Sequence, residues 1–339
     1  MSRALNIALV GATGTVGREI LSVLAERAFP VAELRLLASE HSLGEVIEFG
    51  DEQLLVQKLE QDSFAGIDIA LFCAGKELSL ESCPPAVEAG AICIDLSGAW
   101  WADEDVPLVA PEVNPQDLAG YTRRGIIAAP SAAVVALSAA LKPLYGEAEI
   151  LRVVLSTYQS VSGSGQQAID ELRDQIGELL NGRPAQSTVY PHQIAFNCLP
   201  QIGAFCADGA TEEEQRLAEE TRRLFGDRSL RISATAVRVP VFYGDSFSLN
   251  VETREKISAT RAGELLVATP GVEVVDDPAA EIYPHPVDAA GQEAILVGRL
   301  REDASIEHGL SFWIVADSLR RGAATNAVQI AEYLAAHYL

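Results

Sequence analysis

The sequence predicts an α/β doubly wound parallel sheet followed by an α+β second domain, and three observations carry that prediction. Up to about residue 130, short and almost continuously apolar runs alternate with helical patterns, as strands buried on both faces of a parallel sheet do. A glycine-rich turn joins the first run to the first helix. Beyond it the runs lengthen, and the exposed ones alternate apolar with polar residues.

The elements follow in order. "ALNIALVG" is a strand, and "TVGREILSVLAER" is an amphipathic helix with Val16, Ile20, Val23 and Leu24 on one face. "ELRLLAS", "IDIALFCAG", "AICIDLSG" and "GIIAAP" supply four further strands. In the second half, "AEILRVVLSTYQSVSG", "SATAVRVPVFYGDSFSLNVET" and "AILVGRLRED" read as long antiparallel strands. The stretches "GQQAIDELRDQIGELLNG" and "TEEEQRLAEETRRLFG" between them read as helices, and "SLRRGAATNAVQIAEYLAAHYL" as one amphipathic helix at the end. A chain of 339 residues accommodates two domains of this kind.

Composition narrows the functional classes. A net charge of −23 opposes binding to nucleic acid or anionic lipid. No apolar run reaches the roughly 18 residues of a membrane span, and no signal segment is legible at the start, so a cytoplasmic location is expected. The five cysteines, Cys73, Cys83, Cys93, Cys198 and Cys206, lack metal-ligand spacing, so no metal is expected. Most sit in apolar runs, where cysteine packs as a small buried residue.

The turn after the first strand carries Gly11, Gly14 and Gly17 in a GxxGxxG pattern. Glycines let such a turn close and let backbone approach a pyrophosphate seated on the helix N-terminus. The end of the second strand, "LASEHSLGE", faces the ribose in such folds and offers Ser39, Glu40, His41 and Glu45. A neutral histidine and a repelling Glu45 make this loop a poor clamp for the NADP 2′-phosphate, though tolerant of NAD.

Across nearly its whole length the chain resembles the aspartate-semialdehyde dehydrogenase family. The resemblance rests on "VGATGTVG", "LLAS", "PLVAPEVN", "STYQSVSGSG", "QIAFNCLPQIG", "VRVPVFYGDS", "EIYPHPVDAAG" and "GAATNAVQIAE", in family order. It implies a Rossmann-type dinucleotide-binding domain over 1–130, completed by a C-terminal helix over 317–339, and a substrate-binding and dimerisation domain over 131–316. Such enzymes interconvert β-aspartyl phosphate and aspartate semialdehyde with NADPH. Gly11, Thr13, Gly14, Thr15, Val16, Gly17, Ser39, Gly75 and Asn326 would contact the cofactor. Gln159 would position the substrate and Arg238 would grip its carboxylate, while the family's Glu-x-x-Lys pair becomes Glu213 and Arg216. Arginine is not a neutral replacement for lysine at a fitted site.

Three departures follow from the same resemblance. Where the family carries its nucleophilic cysteine this chain has Ala132, within "APSAAV". Asp245 stands at the histidine and Trp101 at the phosphate-binding arginine. No cysteine lies between Cys93 and Cys198, so a shifted alignment restores none. Cys73 beside a pyrophosphate would have its pKa raised, the wrong direction for a nucleophile, and Cys198 reads as a small buried residue. Ser131 would need a base stronger than an ordinary aspartate. His192 and His285 read as loop histidines without a proton-transfer partner. Loss of a covalent nucleophile removes factors of about a million in rate where the machinery acts as a unit.

The chain is therefore expected to be a paralogue inactive in that reaction, most similar to the Usg-type homologues that lack the cysteine. It would be retained to bind nucleotide or a small carboxylate, or as an interaction protein, with a homodimer implied by the resemblance. NAD or NADP would be held weakly or not at all. The alternative is an NAD(P)-dependent oxidoreductase that transfers hydride without a thiol.

Overall fold

The computed structural model describes residues 3–60 and 62–339. Met1 and Ser2, part of the start read for a signal segment, lie outside the described residues. The chain divides into two compact units, Met1–Ser131 with Ala323–Leu339, and Ala132–Gly322.

In the first unit the strands are β1 (Leu5–Val10), β2 (Val31–Ala38), the hairpin β3 (Val46–Phe49) and β4 (Glu52–Leu55), β5 (Gln57–Lys58), β6 (Ile69–Phe72), β7 (Ile92–Asp95) and β8 (Ile126–Ala128). The main sheet has the order β5-β2-β1-β6-β7-β8 and every pairing in it is parallel. Helix α1 (Thr15–Glu26) buries Gly17, Ile20, Leu21, Val23 and Leu24, while Val16 packs half-buried at the edge of the core. Helix α2 (Lys76–Glu88) follows β6. The chain leaves β1 toward β2 and returns to the other side at β6, so the strand order reverses between β1 and β6. Ligands of such sheets bind outside the carboxyl ends of the strands at this reversal. The hairpin at residues 46–55 was not legible in the sequence, because its strands are short and largely solvated.

In the second unit, helix α3 (Ala132–Ala148) leads to β9 (Ile150–Gln159), α4 (Gln166–Leu180), α5 (Glu212–Phe225), β10 (Arg231–Arg238), β11 (Asp245–Thr253), α6 (Ala259–Val267), β12 (Val272–Val274), α7 (Pro286–Ala289), β13 (Ile295–Glu302) and β14 (Gly309–Ala316). The sheet order is β10-β9-β11-β14-β13-β12. The expected long strand "SATAVRVPVFYGDSFSLNVET" is two strands, and β10 pairs parallel to β9 rather than antiparallel. Pro240, without an N–H, falls in the break between them. Helix α5 is the best-capped helix: Thr211 and Glu214 form a capping box, and Gly226 ends it in a left-handed conformation.

The expected single C-terminal helix is also two pieces. Residues Ser318–Thr325 are π-helical and only α8 (Asn326–His337) is α-helical. Asp317 initiates the first piece, its Oδ1 accepting from the N–H groups of Leu319 and Arg320 at 2.9 Å each. Helix α8 adds Ala327, Val328, Ile330, Ala331 and Leu334 to the core of the first unit. Arg27 and Glu332 pair across it at 2.8 Å.

Two glycines of the first turn are fixed by packing. Gly11 has φ 93°, and a Cβ there would lie 3.1 Å from the Cys73 carbonyl. A Cβ on Gly17 would lie 2.3 Å from the Gly11 oxygen. Gly17→Ala is expected to destabilise the chain by about 1–3 kcal/mol, as overpacking of close-set backbone does. Urea unfolding of the variant against the parent measures it.

Candidate functional site

In the first unit the structure gathers several of the residues expected at a dinucleotide. Gly11 and Cys73 meet at the strand-order reversal, with Gly75 two residues on as the N-cap of α2. The Ser42 hydroxyl lies 3.3 Å from that of Thr13, bringing the 39–42 segment beside the glycine turn. Gly14 caps α1 without a side chain, and the N–H groups of Thr15, Val16 and Gly17 find no acceptor among the described residues. A helix start with three open donors and a positive dipole end suits a phosphate. Asn326, at the start of α8, is buried, and its Nδ2 lacks a partner among the described residues. These residues fit a dinucleotide.

Glu45 has a cation beside it: Arg18 lies 3.6 Å from it and donates to the Thr13 carbonyl at 3.2 Å. A cation that the loop sequence did not offer is supplied by α1.

The cysteines sort differently than expected. Cys83 and Cys93 are buried, as read from the sequence, but Cys198 is exposed. The Cys73 thiol donates to the Val10 carbonyl at 3.1 Å, and burial pushes its pKa up to about 12, so desolvation rather than a neighbouring pyrophosphate makes it unreactive. Cys93 is raised by its contact with Cys83 and by burial. His285 has a partner after all, pairing with Asp288.

Trp101 lies in the segment after β7 that Asp95 organises. The fully buried Asp95 accepts from the Ser79 hydroxyl at 2.7 Å, the Ser97 hydroxyl at 2.6 Å and the Ala99 N–H at 3.2 Å. That anchor was not singled out in the sequence.

In the second unit, Gln159, Glu213, Arg238 and Asp245 come together around a residue the sequence reading missed, Ser160. Arg238 ends β10 opposite Gln159, and its backbone is pinned on the other side by two hydrogen bonds with Leu199, of 2.8 and 2.9 Å. Its guanidinium Nη1 donates to the Ser160 carbonyl at 2.5 Å, and its buried Nε has no partner among the described residues. Asp245 opens β11, placed by Gly244, which has φ 86° and whose Cβ would lie 2.7 Å from the Pro286 carbonyl. Asp245 Oδ1 accepts from the Ser160 N–H at 2.8 Å and from its hydroxyl at 2.9 Å. The Ser162 hydroxyl lies 2.9 Å from that of Ser160. Gln159 donates from Nε2 to Glu213 Oε1 at 2.9 Å. Arg216 bonds the fully buried Glu220 at 2.6 Å, so its charge is balanced along α5.

Ala132 is the first residue of α3, and a Cβ on Gly322 would lie 2.4 Å from the Ala132 Cβ. The chain therefore presents a methyl group at the position singled out for a thiol.

Burial raises the Asp245 pKa to about 6, against the opposing pull of the Arg238 charge and the two Ser160 donors. Its folded pKa lies above the unfolded value, so protonation favours the fold and stability falls as pH rises through about 6. A shift from 3.8 to about 6 corresponds to about 3 kcal/mol. Between about pH 4 and pH 7 the parent chain is expected to lose most of that, about 2 kcal/mol more stability than Asp245→Asn, read from urea unfolding at each pH.

Comparison with known proteins agrees with this architecture. The family described as "Semialdehyde dehydrogenase, NAD binding domain" matches residues 6–121, and "Semialdehyde dehydrogenase, dimerisation domain" matches residues 141–321. An aspartate-semialdehyde dehydrogenase of Aquifex aeolicus is 50% identical over 330 residues, covering 97% of each chain. Aspartate-semialdehyde dehydrogenase 2 of Vibrio cholerae is 46% identical over the full length of both. The structure of Vibrio cholerae aspartate semialdehyde dehydrogenase II complexed with ASA superposes with a TM-score of 0.98 at 46% identity and covers all of both chains. A probable aspartate-semialdehyde dehydrogenase of Pseudomonas aeruginosa gives 0.93 at 37% identity, over 99% of this chain and 100% of that one.

Proposed function

Because the chain belongs to the aspartate-semialdehyde dehydrogenase family, we propose that it is a paralogue, of the Usg type, that keeps the family's binding sites and lacks its thioester chemistry. The observation that carries the second half is the residue at the head of α3. Ala132 has no atom that can attack a carbonyl, and Asp245 and Trp101 stand where the resemblance puts the proton-shuttling histidine and the phosphate-binding arginine. The remaining thiols do not replace it. Cys83 and Cys93 are buried in α2 and β7, Cys73 follows β6 with its thiol bonded to the Val10 carbonyl and its pKa raised to about 12, and Cys198 and Cys206 fall outside the family's nucleophile motif.

The binding half rests on what remains. The open N–H groups at the start of α1 would hold a dinucleotide pyrophosphate, with Ser39, Gly75 and Asn326 around it. NAD(P), when bound, supplies hydride transfer at its nicotinamide. The buried Arg238 would hold a carboxylate, and Glu213, held by Gln159, an ammonium. The matched dimerisation domain supports a homodimer. No helix among the described residues is long and apolar enough to cross a membrane, and no group of acidic, histidine and cysteine side chains among them could hold a metal.

A second reading, hydride transfer to a ketone or imine without a thiol, is favoured by Asp245. A carboxyl group with a pKa of about 6 can hold a proton near neutrality and deliver it to a substrate. Calorimetric titration with NAD(H) and NADP(H) separates the readings. Absence of binding at millimolar cofactor removes the redox reading and the nucleotide half of the first.

For the paralogue reading, the purified chain is expected to show no phosphate-dependent oxidation of aspartate semialdehyde. The triple change Ala132→Cys, Asp245→His and Trp101→Arg is expected to raise that rate at least about a hundredfold, and Ala132→Cys alone is not. Robust turnover by the unmodified chain, free of host enzyme, would refute the reading.

A further inference from the structure

The charges around Ser160 define a ligand more narrowly than "small acid". Arg238 and Asp245 are both more than nine-tenths buried, yet no ion pair joins them, because Ser160 stands between: its carbonyl takes the guanidinium and its two donors take the carboxylate. Each is left with one open position. Arg238 Nε is buried without an acceptor, and Asp245 Oδ2 accepts no hydrogen bond among the described residues. The unmatched buried donor on Arg238 is costly unless a ligand completes it, while the second Asp245 oxygen is free to accept from one.

The two open positions ask for opposite chemistry. The guanidinium edge calls for a carboxylate. The carboxylate oxygen calls for a hydrogen-bond donor, best a cationic one. An aldehyde offers Asp245 only an acceptor oxygen, and an acyl phosphate offers it negative charge, so neither completes it. Glu213 adds a second carboxylate to the group, within range to perturb Asp245 electrostatically. Arg238, Glu213 and Asp245 are one cation and two anions, and a ligand with one anion and two cations neutralises them.

We propose that the polar cluster around Ser160 binds a short diamino monocarboxylic acid, its carboxylate on Arg238, its α-ammonium on Glu213 and its terminal ammonium on Asp245. The proposal rests on the small-acid-binding reading above and specifies its ligand. Asp245 acts here as a fixed acceptor. With its Oδ1 taken by Ser160, its Oδ2 is oriented by the same two hydrogen bonds that hold the serine.

The test is calorimetric titration of the full-length protein at about pH 7.5, where Asp245 is ionised. The probes are L-2,4-diaminobutyrate, L-2,3-diaminopropionate, L-2-aminobutyrate, which lacks the terminal ammonium, and L-aspartate, which carries a carboxylate there. One or both diamino acids are expected to bind at least about tenfold more tightly than L-2-aminobutyrate, and L-aspartate more weakly still. In Asp245→Asn that preference is expected to fall to within about threefold while L-2-aminobutyrate binding persists. If L-2-aminobutyrate or L-aspartate binds as tightly as both diamino acids, the proposal is overturned and the small-acid reading stands. If no probe binds at millimolar concentration, both fall. The ranking in the unmodified protein decides the matter even if Asp245→Asn does not fold.

Discussion

The arrangement on which the second unit's site depends is the wedging of Ser160 between two buried charges. A guanidinium and a carboxylate in a protein interior ordinarily form a direct pair, since each loses several kcal/mol of hydration on burial. Here both are satisfied in part through the same serine, at 2.5 Å on one side and 2.8 Å on the other. That serine follows the end of β9, where β10 lies parallel on one side and β11 antiparallel on the other, so the mixed pairing of the sheet is what brings Arg238 and Asp245 to a common residue. Gly244 makes the turn into β11 possible where any side chain would strike the Pro286 carbonyl. Remove the wedge and the two charges would neutralise each other, leaving little for a ligand to recognise.

The first unit solves a different problem with backbone alone. Its glycine turn is held by contacts that exist without any ligand: Gly11 abuts the end of β6, and Gly17 abuts Gly11. Part of the motif is therefore a packing requirement, because helix and strand come too close for a methyl group. The uncapped donors at the start of α1 carry the ligand argument, and the glycine pattern by itself does not.

Much of the fold was legible because the sequence is locally consistent. The buried strands of the first unit are short apolar runs, and α1, α4 and α5 show plain helical periodicity. Gln159, Glu213 and Arg238 were legible through motifs. Ser160 was not, since its meaning comes from a carboxylate 85 residues away, and a serine in "YQSVSG" carries no local mark of that contact. The parallel pairing of β10 was hidden for the same reason: alternation along a strand says which face is buried, not which way its neighbour runs. The run "GLSFWIVA" forms β14, and the π-helical turn after it depends on Asp317, whose second oxygen is held by the Gly291 N–H at 2.8 Å. Arg18 was seen only as part of a helix, and its nearness to Thr13 and Glu45 needs the loop geometry.

The chain's return to the first unit has a consequence for how the protein is made. Ala324, Ala327, Val328, Ile330, Ala331 and Leu334 are part of the core built on β1, β2 and α1. On the ribosome, the sheet of the first unit is synthesised first yet stays without these residues until Ala323–Leu339 has been made. The second unit is continuous in sequence and can complete itself earlier. The usual order of N-terminal unit first is thus reversed. The nascent first unit must wait with apolar surface open, so its core closes only after the whole of the second unit has been made.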